Sequence, residues 1–167
     1  RLISDGDMYI DITGVNVDGH SFISQAIKNG ANCIVCEKIP DNKTDGVVYV
    51  NVKSSRKALA IISSNYFDNP SSKLNLIGVT GTNGKTTIAT LLFDLYTELE
   101  IKSGLISTVK ISYDNKNFQA NQTTPDSLSI NRFLSEMVNS NVRYCFMEVS
   151  SHGIDQNRTD GLVFKGG

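Results

Sequence analysis

Apolar residues follow two different spacings along this chain. Short runs of consecutive apolar residues, as in Cys33–Cys36, are typical of buried strands, whereas apolar residues three and four apart indicate helices that bury one face. The two patterns alternate, which predicts an α/β fold. The predicted strands are 8–12, 33–36, 47–50, 74–79, 104–109 and 143–149, with a hairpin of 110–113 and 117–120. Two predicted helices span 21–29 and 86–99. A further helix begins after Ser54, and another is capped by Thr124 with Pro125 in its first turn. Residues from Ser150 onward are predicted to be loop.

A polar, turn-rich segment at residues 68–73 separates two such patterns. It contains Asn69 and Pro70 followed by two serines, which favours a turn and disfavours both helix and strand. We therefore predict two domains, 1–70 and 74–167, the second with a mainly parallel sheet. The predicted helix 86–99 has an apolar stripe that we expect to be buried, formed by Ile88, Leu91, Leu92, Leu95 and Leu99.

Composition narrows the class of protein. The 167 residues carry a net charge of −1, which argues against binding nucleic acid or an anionic membrane through bulk charge, and no apolar run is long enough to span a bilayer. Three cysteines fit a reducing cytoplasm better than a disulfide framework.

Cys33 and Cys36 match a C-x-x-C pattern, but they lie in a predicted strand with no second metal-ligand pair, so core packing is the preferred interpretation.

The loop between the strand 74–79 and the helix 86–99 has the composition of a phosphate-binding loop. Gly81 and Gly84 permit a tight turn whose N–H groups can face phosphate oxygens, and Lys85 can reach the β- and γ-phosphates. The hydroxyl of Thr86 can ligate Mg²⁺. Val79 stands where the common form of this motif has its first glycine, so the loop is a variant. The alternative interpretation is a glycine-rich turn that binds nothing.

Glu148 is a candidate metal ligand because it lies near the end of the predicted strand 143–149. Ligands of open parallel sheets bind at the carboxyl ends of the strands, where Glu148 would share an edge with the phosphate loop. It could hold Mg²⁺ directly or through water. A solvated glutamate at a strand end is the alternative.

Four segments together resemble the Mur ligase family. The phosphate loop resembles the ATP loop of these enzymes and of the related folylpolyglutamate synthases, and the first segment resembles their N-terminal sugar-nucleotide domain. The last two segments resemble the branch that adds the third peptide residue. The four segments are 17–23 with 25–27 and 30–31, then 80–86, then 123–126, and finally 147–153 with Gln156 and Arg158.

The resemblance implies a role for each matching residue. It implies an ATP site formed by Gly81, Thr82, Asn83, Gly84, Lys85, Thr86 and Thr87, with Lys85 and Glu148 catalytic and Thr86 and Glu148 on Mg²⁺. It implies a substrate site formed by Val15, Asn16, Val17, Gln122, Thr123, Thr124, Ser150, Gln156 and Arg158. Gln122 stands where the family usually has Asn.

The activity implied by the resemblance is ATP-dependent formation of an amide bond in peptidoglycan precursor synthesis. The substrates would be ATP with Mg²⁺, the UDP-N-acetylmuramoyl dipeptide and an amino acid, used by a cytoplasmic monomer with no nucleic-acid partner. The family continues beyond the last segment with further metal ligands and a domain for the amino acid, so we expect this chain to be an N-terminal fragment, inactive alone. A folylpolyglutamate synthase-like ligase and a non-catalytic nucleotide-binding module are the alternatives.

Overall fold

The computed structural model describes residues 3–13 and 18–167. Contacts divide the chain into two compact units, Arg1–Leu59 and Ala60–Gly167, and each unit is described separately. The boundary falls within helix α2 (Ser55–Tyr66). The predicted boundary at 68–73 stays a prediction; within that segment, Pro70–Ser72 forms a turn of 3-10 helix whose Pro70 and Ser71 are buried.

The first unit contains a three-stranded parallel sheet. Its strands β1 (Met8–Ile10), β2 (Cys33–Cys36) and β3 (Val48–Asn51) lie in that order. A 3-10 turn, Gly19–Phe22, leads into helix α1 (Ile23–Lys28). Helix and sheet share a small core formed by Ile23, Ala26, Ala31, Ile34 and Cys36.

The second unit contains a five-stranded sheet that positions the candidate site. The strands β4 (Asn75–Val79), β5 (Ser103–Ile106), β6 (Lys110–Tyr113), β7 (Lys116–Gln119) and β8 (Tyr144–Glu148) lie in the order β4-β8-β5-β6-β7. β4, β8 and β5 are parallel, whereas β6 and β7 form an antiparallel hairpin beside β5. The helices are α3 (Lys85–Glu98), α4 (Ser127–Asn139) and α5 (Ser151–Asp155). The predicted α/β class with mainly parallel strands is thus confirmed.

Two predictions about helix boundaries are wrong. Thr124 is not the cap of α4: that helix begins at Ser127, and its N-cap is Asp126, whose carboxylate accepts the N–H of Ser129 at 3.0 Å. Pro125 consequently precedes the helix. The segment after Ser150 is not all loop, because Ser150 caps α5 by accepting the N–H of Gly153 at 3.0 Å.

The predicted buried stripe of α3 is wrong at four of its five residues, and Leu92 alone packs against the sheet as predicted. Ile88, Leu91, Leu95 and Leu99 are each at least half exposed. The helix instead buries the face that carries Ala89 and packs its neighbours Leu92, Phe93 and Tyr96 against the sheet. In the described part of the chain, no helix has the length and apolar character needed to cross a membrane.

Candidate functional site

The loop of residues 80–84 joins the end of β4 to the start of α3. Gly81 has φ +138° and Gly84 has φ +80°. Residues with a side chain rarely adopt positive φ, whereas glycine adopts it readily, so the two glycines permit this turn. Gly84 is the N-cap of α3 and provides no side-chain acceptor for the first turn. The N–H groups that begin the helix therefore face the loop with their partial positive charge, as a phosphate-binding loop requires.

The side chain of Lys85 lies back over this loop. Its Nζ donates to the carbonyl oxygen of Gly81 at 2.7 Å and lies 3.4 Å from that of Thr82. The ammonium charge is thus held within the loop itself. A phosphate oxygen arriving there can replace these carbonyl contacts with a stronger charge-assisted hydrogen bond.

Glu148 ends β8, the central strand of the three parallel ones, and it is fully buried. It pairs in register with Val79, the last residue before the phosphate loop. Its Oε2 accepts the hydroxyl of Thr86 at 3.0 Å and the hydroxyl of Thr108 at 3.0 Å, while its Oε1 accepts the N–H of Thr108 at 2.8 Å. Neutral donors therefore surround both carboxylate oxygens.

The surroundings of Glu148 fit a divalent cation. None of the ion pairs among residues 3–13 and 18–167 includes this carboxylate, although burial makes an uncompensated charge costly. A carboxylate and a threonine hydroxyl at the edge of a phosphate loop are the hard oxygen donors that Mg²⁺ prefers, usually together with phosphates and water. Glu148 and Thr86 are therefore the residues that could hold the ion.

A second group of polar side chains packs against the same end of β8. The hydroxyl of Thr124 donates to the carbonyl oxygen of Glu148 at 3.1 Å and accepts the N–H of Ser150 at 3.0 Å. Gly153 lies directly beneath, because a Cβ at that position would come within 2.8 Å of the Thr124 side chain. Thr123 lies beside Thr108, with 3.1 Å between their hydroxyl oxygens.

Arg158 completes this group by contacting three of the other predicted substrate residues. Its Nη1 donates to Oε1 of Gln122 at 2.6 Å and to the carbonyl oxygen of Thr124. Its Nη2 donates to Oε1 of Gln156 at 2.6 Å. The structure thus brings Gln122, Thr123, Thr124, Ser150, Gln156 and Arg158 together, although their roles stay predictions.

Three predicted substrate residues are not part of this picture. Val15, Asn16 and Val17 lie outside the described residues, so their assignment stays a prediction.

Cys33 and Cys36 behave as packing residues: both are free, and burial raises the pKa of each thiol, which opposes an activated thiolate.

Sequence reasoning missed Thr108. No motif marks this residue, which follows β5 by two positions in a tight turn. The available signal was positional: β5 is parallel to β8 with Ile106 opposite Met147, so the residues after β5 reach the same sheet edge as Glu148.

The site defines a P-loop α/β protein. It has a strand followed by a glycine-rich loop, a helix whose N-cap has no side-chain acceptor, and a carboxylate at the end of the adjacent strand.

Two family models match the chain: the Mur ligase middle domain over residues 79–167, and the catalytic domain of the Mur ligase family over residues 1–67. The first match alone covers more than half of the chain. The chain therefore belongs to the Mur ligase family.

Curated relatives match over the whole chain. A UDP-N-acetylmuramoyl-L-alanyl-D-glutamate--2,6-diaminopimelate ligase from Cytophaga hutchinsonii is 49% identical over 168 residues, and the protein of the same name from Bacteroides thetaiotaomicron is 45% identical over 167. Both alignments cover 100% of this chain and 35% of the relative. The chain thus spans about a third of the length of these relatives.

Solved structures show the same fold. One, of a UDP-N-acetylmuramoyl-L-alanyl-D-glutamate--2,6-diaminopimelate ligase, has a TM-score of 0.80 at 24% identity and covers 95% of this chain and 32% of that one. A MurF ligase from Thermotoga maritima, solved in complex with ADP, has a TM-score of 0.55 at 25% identity, covering 89% of this chain and 30% of that one.

Proposed function

We propose that the protein is an ATP-dependent ligase that adds the third peptide residue to UDP-N-acetylmuramoyl-L-alanyl-D-glutamate. The observation that carries the proposal is the position of Glu148. Its carboxylate contacts Thr86 of the phosphate loop, and its carbonyl oxygen contacts Thr124 of the predicted substrate loop. One strand end thereby joins the two sites that a phosphoryl transfer to a substrate carboxylate needs.

The proposed reaction has two steps. A carboxylate oxygen of the D-glutamyl group attacks the γ-phosphorus of ATP, and the bond between that phosphorus and the β–γ bridging oxygen breaks. ADP departs, and the D-glutamyl group now carries an acyl phosphate. The amine of the third residue then attacks the acyl carbon, phosphate departs, and the amine loses a proton as the amide forms. Proximity is the main catalytic resource for such a reaction.

Lys85 and the loop N–H groups would bind the phosphates and neutralise charge as it moves towards the leaving ADP. Lys85 is already held within the loop by the carbonyl oxygen of Gly81 at 2.7 Å, so little reorganisation is needed. Thr86 and Glu148 would hold Mg²⁺, which when bound supplies charge neutralisation between the nucleotide phosphates.

Arg158 would bind an anionic group of the UDP substrate, with Gln122, Gln156 and the Thr124 loop orienting it. An arginine presents several N–H donors in a fixed plane, which suits carboxylate or phosphate recognition. Existing contacts from Arg158 to Gln122 and Gln156 fix the orientation of that plane. The predicted uridine contacts of Val15, Asn16 and Val17 belong to the same proposal.

We propose 2,6-diaminopimelate as the incoming amine because two relatives that match the whole chain at 45% and 49% identity carry that name. A ligase that uses ATP and a UDP-linked substrate would work in the cytoplasm, and this location is part of the proposal. A monomer is sufficient, since one chain carries the phosphate loop, Glu148 and the Thr124 loop.

The test is an assay of the complete gene product with ATP, Mg²⁺ and UDP-N-acetylmuramoyl-L-alanyl-D-glutamate. We expect ADP release and a tripeptide product, identified by mass spectrometry, with diaminopimelate and much less with L-lysine. Product only with lysine would change the amine but keep the reaction. Absence of product with either amine, together with thermal stabilisation by folates and not by UDP-sugars, would contradict the proposal.

A further inference from the structure

A line of three side chains connects helix α5 to the guanidinium of Arg158. His152 lies on α5, and its Nε2 is 2.8 Å from Nε2 of Gln156, the residue that follows the helix. Oε1 of Gln156 in turn accepts Nε of Arg158 at 3.1 Å and Nη2 at 2.6 Å. Gln156 and Arg158 are predicted substrate residues, whereas His152 has not been assigned a role.

The donors and acceptors along this line can be arranged in one way only. A guanidinium carries N–H donors and no acceptor, so the atom of Gln156 that faces Arg158 must be the amide oxygen. The amide nitrogen of Gln156 therefore faces His152, and it can only donate. Nε2 of His152 must accept, which leaves the one N–H of the ring on Nδ1. A ring with a hydrogen on Nε2 would place two N–H groups against each other.

The same contacts fix the amide of Gln156 at both ends, because Arg158 holds its oxygen and His152 holds its nitrogen. The backbone N–H of Gln156 also donates to the carbonyl oxygen of His152 at 3.0 Å, which keeps the two residues together. From its other side, the guanidinium donates through Nη1 to Oε1 of Gln122 at 2.6 Å and to the carbonyl oxygen of Thr124. The guanidinium plane is therefore set from two directions, and one of them depends on His152.

We infer that His152 is a positioning residue for the UDP substrate, and that it acts by accepting the amide N–H of Gln156. The inference rests on the proposed function and deepens it. Without His152, the amide nitrogen would turn to water, and substrate binding would include the entropic cost of ordering Gln156 and Arg158. Because His152 is exposed, water competes for its contact, and we expect an effect of about two- to fivefold, the lower part of the range for one net hydrogen bond.

The first measurement is kinetic and uses the complete gene product. His152→Ala should raise KM for the UDP-N-acetylmuramoyl dipeptide about two- to fivefold. KM for ATP and kcat should not change, because the contact serves substrate and transition state alike. His152→Gln offers an amide oxygen as an acceptor and should keep KM near the parent value. Ser151→Ala, at the exposed neighbouring position, controls for a substitution in α5.

The second measurement reads the ring directly and needs no turnover. In protein with isotope-labelled histidine, proton–nitrogen correlation spectra distinguish a ring with its hydrogen on Nδ1 from one with its hydrogen on Nε2. The signals that disappear in His152→Gln are those of His152. We expect Nδ1 to carry the hydrogen at neutral pH, since only this form accepts from Gln156.

The possible outcomes separate the inference from the proposed function. If His152→Ala keeps the parent KM for the dipeptide, or if the hydrogen lies on Nε2, the positioning role of His152 is wrong while the ligase proposal stands. An equal rise of KM in His152→Gln and His152→Ala would also overturn it, since the acceptor would then not be what matters. If the parent forms no tripeptide product, the proposed function itself is wrong, and the inference fails with it.

Discussion

Replacing Glu148 with glutamine should separate its chemical role from its structural one. Glu148 is fully buried, and three neutral donors contact its two oxygens. In Glu148→Gln the amide oxygen can still accept the N–H of Thr108. The amide nitrogen takes the place of Oε2 and can donate to the hydroxyls of Thr86 and Thr108, since each hydroxyl can accept. Every buried polar group keeps a partner.

We therefore expect Glu148→Gln to change the free energy of unfolding by less than about 1 kcal/mol, whereas Glu148→Ala should be clearly destabilising. The alanine variant leaves the N–H of Thr108 without its acceptor, at a cost of about 1–3 kcal/mol. It also loses one buried methylene group, worth about 0.8 kcal/mol. The sum is about 2–4 kcal/mol, which corresponds to a fall in Tm of roughly 10 °C or more for a domain of this size.

Denaturant unfolding of both variants, beside ADP titrations with and without Mg²⁺, checks this reasoning in the complete gene product. We expect Mg²⁺ to strengthen ADP binding in the parent and to have no effect in Glu148→Gln, because an amide is a much poorer ligand for Mg²⁺ than a carboxylate. A glutamine variant that is stable and still responds to Mg²⁺ like the parent would refute the assignment of Glu148 to the metal.

Three further substitutions test the remaining parts of the site. Lys85→Ala should weaken ATP binding by roughly ten- to a hundredfold, since a charge-assisted contact is worth about 1.5–3 kcal/mol; equal ATP affinity by calorimetry would count against its phosphate role. Arg158→Ala should raise KM for the UDP dipeptide while leaving KM for ATP unchanged, and the reverse pattern would show that it serves the nucleotide. Gly153→Ala should also raise KM for the UDP dipeptide, because its Cβ would meet the Thr124 side chain at 2.8 Å. Ser151→Ala, at an exposed position on the same helix, is the matched control, and equal kinetics for both alanine variants would show that close packing under Thr124 is unimportant.

The sequence predicted most of what local residue types determine. Glycines at positions that need positive φ, as at Gly81 and Gly84, mark the loop directly, and the apolar run before Glu148 placed that carboxylate at a strand end. The hairpin around 114–116 was likewise readable, since Asp114 and Asn115 tolerate the left-handed conformation that the turn requires. In each case one residue type and its neighbours decide the structure.

Features that depend on contacts between residues distant in the sequence could not be predicted from residue types and their neighbours. Thr124 has the residue type of a helix cap, but its hydroxyl is occupied by the carbonyl oxygen of Glu148, and Asp126 caps α4 instead. Ser150 caps a short helix that has no apolar periodicity of its own. Thr108 acquires its contacts only because β5 lies beside β8, a pairing that joins residues about forty positions apart.

The orientation of α3 shows that two predictions from the same sequence were incompatible. Successive residues of a helix are separated by about 100°, so the stripe of Ile88, Leu91, Leu95 and Leu99 lies roughly 180° from Thr86. Burying that stripe against the sheet would have turned Thr86 away from Glu148. The structure instead buries Ala89, which lies about 60° from Thr86 around the helix, and thereby leaves Thr86 Oγ1 3.0 Å from the carboxylate. A helix that is apolar on several sides cannot be oriented from hydrophobic periodicity alone. In this helix the hydroxyl required by the phosphate-loop motif was the better guide, because it must face the sheet edge where the acidic partner lies.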